Sequence, residues 1–180
     1  MNIINRTVSV ILPIRNVADQ IRGCLQKIEC HLPRITSGAF EVIVVDDASN
    51  DHTLVVLDDM RFRFPFVRVI LHASERGLDE AAATGLSAAS GELLLIQEAG
   101  QMVEMDQLRQ LARLATDPDL VAARIQVGSY SDTTSRSLQI ISRVALKRIA
   151  TSPLGSMRLV GATNSHGEPL QERRDLIRAA

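Results

Sequence analysis

The chain switches repeatedly between short, continuous apolar runs and longer stretches in which apolar residues recur every three or four positions, and this alternation leaves few architectures open. The runs at residues 7–13 (TVSVILP), 41–47 (EVIVVDD), 67–73 (VRVILHA), 92–98 (ELLLIQE) and 120–127 (LVAARIQV) have the length of strands. The first two lack the alternation of a sheet with one wet face, so they predict strands covered on both sides. Between them, Ile21, Cys24, Leu25, Ile28 and Leu32 predict a first helix, with Asn16 and Asp19 near its start as capping residues. Residues 53–62 predict a second helix and the Ala-rich segment 78–90 a third. Met105, Leu108, Leu111, Ala112 and Ala115 predict a fourth, stopped near Asp117-Pro118. Strands alternating with helices require right-handed crossovers, so the predicted fold is α/β: three layers around a largely parallel sheet.

In such sheets ligands bind beyond the carboxyl ends of the strands, near the point where strand order reverses. Those ends are Pro13-Ile14-Arg15-Asn16, then Asp46-Asp47-Ala48-Ser49, then residues 72–77, then Gln97-Glu98-Ala99-Gly100-Gln101. Any such turn is polar because it meets water. Two adjacent acids at the end of a buried strand also repel one another, and that cost points to a ligand role for Asp46 and Asp47.

The composition excludes several classes. The 180 residues suit one domain, and a formal net charge of −1 gives no global bias toward nucleic acid or an anionic membrane. Aromatics are only 3% of the chain, too few for platforms that stack bases or sugar rings. There is no G-x-x-x-x-G-K-[ST], no G-x-G-x-x-G after the first strand and no G-x-S-x-G elbow. Cys24 and Cys30, with His31 beside them, match no usual zinc spacing and are expected to be two buried thiols of a reduced protein. The N-terminus lacks the marks of a secretion signal and no apolar run reaches membrane-spanning length, so a cytoplasmic chain is expected.

After Val127 the pattern breaks. Residues 128–137 read as a Ser/Thr-rich loop and 138–150 as a basic amphipathic helix, followed by Pro, Gly and Ser punctuation and a short terminal segment. The expected organisation is a core over 1–127 and a reduced segment over 128–180 of the same domain.

Taken in order, three stretches resemble a known family. VSVILPIRN is similar to an opening strand with its P-x-[YF]-N turn, and FEVIVVDDASNDHT to a second strand with a [VI]-D-D-[GA]-S-x-D-x-T signature. ERGLDEAAATGLSAASGELLLIQEAG is similar to the Gly-Leu segment that leads through G-E toward a metal-binding D-x-D strand. Together they resemble a family 2 glycosyltransferase, whose nucleotide-sugar-binding domain has the GT-A fold. The resemblance implies that Asp47 accepts hydrogen bonds from ring N–H donors of the nucleotide base, beside Asp46, and that Pro13 and Arg15 line the base pocket, with Arg15 available to stack. It places Arg76 and Gly77 near the ribose and diphosphate of a UDP- or GDP-linked sugar.

The departures are as specific. Where the family has D-x-D this chain has Glu98-Ala99-Gly100, so one acid remains for a divalent Mg or Mn ion and the second is gone. The family's frequent R-N pair falls on Ala82-Ala83. SRVALKRIATSPLGSMRLV is similar to the basic helix and D-P-T-S-G-F-R-like segment of members that transfer sugar to polyprenyl phosphate, with Pro153 and Arg158 on the pattern and Ser152 in place of its Asp. On that match Arg143, Lys147, Arg148 and Arg158 form a patch for a phosphate or a membrane surface, and Glu98 and Arg158 are the catalytic candidates. No general base is recognisable after the fifth strand; an ionised phosphate acceptor needs none, and a chain without catalysis needs none either. Three readings stay open: an active transferase, a non-catalytic nucleotide-sugar-binding relative, and an interaction scaffold. Beyond Val127 there is no Trp or Phe, so the acceptor side is reduced or supplied by a membrane, a partner or a second copy of the chain.

Overall fold

The structure, a computed structural model, describes residues 4–97, 109, 112–113, 115–116, 122–127 and 136–142. The elements run β1 (Val8–Ile14), α1 (Ala18–His31), a 3-10 turn (Leu32–Arg34), β2 (Phe40–Asp46), α2 (Thr53–Met60), β3 (Val67–Leu71), α3 (Leu78–Ala88), β4 (Leu93–Gln97), β5 (Ala122–Val127) and β6 (Arg136–Ser142). They form one sheet in the order β3-β2-β1-β4-β6-β5. The first four strands are parallel, while β6 is antiparallel to both β4 and β5.

The continuous apolar runs explain the layering. All seven residues of β1 are buried, and alternate side chains serve opposite faces. Val8, Val10, Leu12 and Ile14 join Val42, Val44, Leu93 and Leu95 under α1 and α2, with Ile21, Leu25, Ile28, Leu57, Met60 and Phe64. Ile11, Ile43, Val45 and Leu94 face the other way, toward Ala81 and Ala89. The Ala-rich sequence of α3 has a steric purpose: a methyl at Gly85 would lie 2.4 Å from Ile11 Cγ2, so the helix sits close on the sheet because its inner face is small. Each fully buried Leu, Ile or Val contributes about 1.5–3 kcal/mol. Arg109, Ala112 and Arg113 have helical backbone, and Ala112 and Ala115 pack into the first core, where the fourth predicted helix places them.

Strand order reverses between β1 and β4. Their pairing ends at Ile11 with Ile96, whereas β1 continues beside β2 to Ile14 with Asp46. Pro13 lies past the end of the β4 pairing, which is how a residue without N–H is accommodated in an interior strand.

Three expectations are corrected. Residues 138–142 are strand, not helix: Leu138 to Ser142 pair with Gln97 to Leu93 of β4, so a free sheet edge overrides a helix-compatible pattern. Cys24 is buried but Cys30 is exposed, because it projects from the outer side of α1; burial pushes the Cys24 thiol up to about 11, against a smaller opposing effect of Lys27. Neither Asn16 nor Asp19 caps α1, which has Val17 at its N-cap position and no side-chain cap of its own.

Candidate functional site

The cap that α1 lacks locally is supplied by the β2–α2 loop. Thr53 Oγ1 accepts from Val17 N at 2.9 Å, and Asp51 Oδ2 from Ala18 N at 3.2 Å. Asn16 N donates to Ser49 Oγ, and Asn50 N to Asn16 Oδ1, both at 2.9 Å. Asp51 Oδ1 also accepts from Thr53 N at 2.9 Å, starting α2. Hydrogen bonds from Thr53 hold Asp51 below its ordinary value, outweighing burial, and the Ala18 amide adds to this. The S-x-D-x-T part of the signature thus fastens the loop after β2 to the loop after β1. The fit is tight enough that Asn16 (φ 52°) and Ala48 (φ 54°) both adopt left-handed backbone, which costs a non-glycine residue about 1–3 kcal/mol.

The adjacent acids avoid repulsion by facing separate donors. Asp46 accepts from Ser49 N at 3.0 Å and from Ser49 Oγ. Asp47 turns toward the loop after β3. Its Oδ1 accepts from Arg76 N at 2.9 Å and from His72 Nδ1 at 2.8 Å, and its Oδ2 from Gly77 N at 2.7 Å. Asp47 is buried. Burial would raise its pKa, but His72 and the two amides outweigh that and hold the carboxyl below its ordinary range. Gly77 makes the closure geometrically possible: at φ 97° and ψ 153° it occupies a region open essentially to glycine alone, and it is the N-cap of α3. His72 Nε2 lies 3.0 Å from Thr84 Oγ1 on α3.

An ion pair completes the cover. Arg15, after β1, pairs with Glu75, after β3. Because β2 lies between these strands, the pair spans the end of β2 where Asp46 and Asp47 stand. Arg15 Nε is buried without a hydrogen-bond partner.

Of the residues singled out from sequence, Pro13, Arg15, Asp46, Asp47, Arg76 and Gly77 come together at the carboxyl ends of β1, β2 and β3. Glu98, Gly100, Arg143, Lys147, Arg148 and Arg158 lie outside the described residues. Among the described residues no group of three or more His, Cys, Asp or Glu side chains could hold a metal ion, and no helix is long and apolar enough to cross a membrane. Sequence reasoning carried His72 and Glu75 only as members of the 72–77 turn and missed Thr84; none of the three has a local pattern. It recorded Ser49, Asp51 and Thr53 only as letters of a motif.

Comparison with known proteins gives this geometry a context. The family model described as Glycosyl transferase family 2 matches residues 9–166. A dolichol-phosphate mannosyltransferase of Pyrococcus furiosus is 32% identical over 151 residues, covering 79% of this chain and 42% of the relative. Among solved structures, the mannosyltransferase PcManGT from Pyrobaculum calidifontis, in complex with GDP-Man and Mn2+, superposes with a TM-score of 0.64 at 24% identity, covering 83% of this chain and 48% of that one. S. aureus TarS 1-349 in complex with UDP-GlcNAc gives a TM-score of 0.53 at 21% identity, covering 71% of this chain and 36% of that one. The chain spans 38% to 43% of the length of the curated relatives it matches first.

Proposed function

Because the chain belongs to glycosyl transferase family 2 and carries the GT-A fold, we propose that it binds a UDP- or GDP-linked sugar at the Asp47 cluster and transfers the sugar to an acceptor, a polyprenyl phosphate in the first reading. The observation that carries this is an ionised, acceptor-only carboxylate after β2 that is wrapped by the loop after β3, with Arg15 of the loop after β1 paired to that same loop. A carboxylate so held suits a base that offers ring N–H donors, as uracil and guanine do. Oδ1 already has two donors and Oδ2 one, so Oδ2 has room for the ligand's N–H. Reaching it requires residues 75–77 to shift, which frees the Arg15 guanidinium to lie against the base and brings Arg76 and Gly77 to the ribose and diphosphate.

Transfer is a single displacement: an acceptor oxygen forms the bond to the anomeric carbon as the bond to the diphosphate breaks and the nucleotide diphosphate leaves. An ionised phosphate oxygen attacks without surrendering a proton, which matches a sequence with no recognisable base. Arg158 is assigned to the negative charge that develops on the departing diphosphate, and Glu98 to holding a cation there. A divalent cation would neutralise that charge when bound. The donor set fits one poorly, since Glu98 is a single carboxylate and Gly100 has no side chain; no step is assigned to a metal. Arg143, Lys147 and Arg148 are assigned to the acceptor phosphate or a membrane surface, at a peripheral, cytoplasmic location, with a second copy or partner available to complete the acceptor side. A non-catalytic nucleotide-sugar-binding protein is the second reading, and Gly100 is what favours it.

Calorimetry with UDP and GDP, followed by turnover of UDP-glucose and GDP-mannose with a polyprenyl phosphate acceptor, separates the outcomes. Binding with release of the nucleotide diphosphate is expected. Binding without turnover selects the second reading, and no binding of either nucleotide overturns both.

A further inference from the structure

His72 is a buried titratable side chain with an occupied partner on each ring nitrogen and no part in the transfer chemistry described above. Its side chain is 5% exposed and that of Asp47 is 1%. An ionised carboxylate only accepts, so Nδ1 must carry the proton toward Asp47 Oδ1. In the neutral ring Nε2 is then an acceptor, and the hydroxyl of Thr84 is its donor at 3.0 Å.

The three donors on Asp47 differ in what anchors them. The Arg76 and Gly77 amides belong to the loop that covers the carboxylate and must shift for a ligand to reach it. His72 is fixed on two sides. Its backbone N–H donates to Asp46 O at 2.9 Å, extending the β2–β3 pairing, and its ring meets α3 at Thr84. Thr84 in turn adjoins Gly85, where α3 presses on Ile11 and Val45 of the sheet. His72 therefore ties Asp47 to the frame, whereas the amides tie it to the cover.

We infer that His72 is a positioning residue that keeps the Asp47 carboxylate in its rotamer once the 75–77 cover has opened, leaving Oδ2 directed at the nucleotide base. This rests on the assignment of Asp47 to the base.

The test compares four variants of the 180-residue chain by calorimetry with UDP and with GDP. Asn at position 72 can offer an amide N–H near the place of Nδ1, whereas Gln reaches toward the place of Nε2. His72→Ala and His72→Gln are expected to weaken binding about tenfold, the equivalent of one hydrogen bond to a charged group, and His72→Asn to stay within about threefold of the unaltered chain. A structural filler would treat Asn and Gln alike. The proposal is overturned if all three His72 variants bind as the unaltered chain does while Asp47→Ala loses binding, or if Gln restores binding and Asn does not. If Asp47→Ala binds normally, or the unaltered chain binds neither nucleotide, the Asp47 assignment fails and takes the proposal with it. Should the His72 variants not fold, long-range ¹⁵N–¹H NMR of the unaltered chain decides. The Nδ1–H tautomer, with ring resonances that move on adding UDP or GDP, is the expected result, and an Nε2–H tautomer overturns the inference.

Discussion

Strand β2 carries a carboxylate at each end, and the two are held in opposite ways. Glu41, at the amino end, accepts from Ser9 Oγ on β1 at 2.7 Å and from Ser90 N and Oγ, between α3 and β4, at 2.7 and 2.6 Å. Arg68 of β3 stands 3.5 Å from its other oxygen. Its partners are therefore elements of the frame, drawn from three places in the chain. Asp47, just past the carboxyl end, is held entirely from the stretch after β3, by His72 at its fixed base and by the Arg76 and Gly77 amides of its cover. A carboxylate shared among strands locks the sheet together; one wrapped by a single loop gives that loop its shape and can exchange some of its donors for a ligand. Only the second arrangement suits a binding site, although both carboxyls lie below their ordinary values for similar reasons: burial raises them, and donated hydrogen bonds outweigh it.

Truncating each acid tests that contrast most severely. Asp47→Ala should weaken UDP or GDP binding on the order of tenfold to a hundredfold. Glu41→Ala should leave affinity within about twofold but destabilise the chain by about 2 kcal/mol, because Ser9 and Ser90 lose their acceptor. Calorimetry and denaturant unfolding read the two effects, and a loss of affinity in Glu41→Ala would break the comparison. Glycine substitutions repeat the contrast in the backbone. A methyl at Gly91 would sit 2.6 Å from Ser9 N, so Gly91→Ala should cost about 1–3 kcal/mol of stability and spare binding. Gly77→Ala strains the Asp47 cover by about 1–3 kcal/mol, and binding should suffer along with stability.

Acid should act on both ends at once. Glu41, Asp47 and Asp51 are lowered in the folded chain from ordinary values of 4.5, 3.8 and 3.8, so the stability they contribute is complete above those values and disappears as pH falls through and below them. Acid unfolding should be less steep in Glu41→Gln and in Asp47→Asn; an unchanged profile in both would mean these groups are not what titrates. The smallest effect expected is from Ala48→Gly, which relieves left-handed backbone and should stabilise by about 1 kcal/mol or less in thermal unfolding, without altering affinity.

The architecture was largely legible because burial on both faces leaves a direct mark. Runs such as VSVILPI and FEVIVVD have no amphipathic reading, and the first four strands fall within a residue or two of where those runs put them. β6 was illegible for the converse reason. RSLQIIS carries apolar residues at spacings that suit either state, and what decides is the free flank of β4. The site divides in the same way. Asp46 and Asp47 stood out as adjacent acids at the end of a buried strand, and Arg76 and Gly77 through the family resemblance. His72 did not, since its meaning depends on Asp47, twenty-five positions earlier, and on Thr84, a helix away. Likewise α1 is capped by residues more than thirty positions after its start, and a local search for caps settles on Asn16 instead.

That borrowed cap has a dynamic consequence. If Asp51 and Thr53 let go, α1 loses its first turn's partners at the same moment that α2 loses its start. The loops after β1 and β2 should therefore open as one cooperative unit, with the amides of Val17, Ala18 and Thr53 exchanging hydrogen at a common rate, while the cover over Asp47 opens at its own. A ligand would meet one rigid wall built from two distant stretches of sequence, and one movable wall.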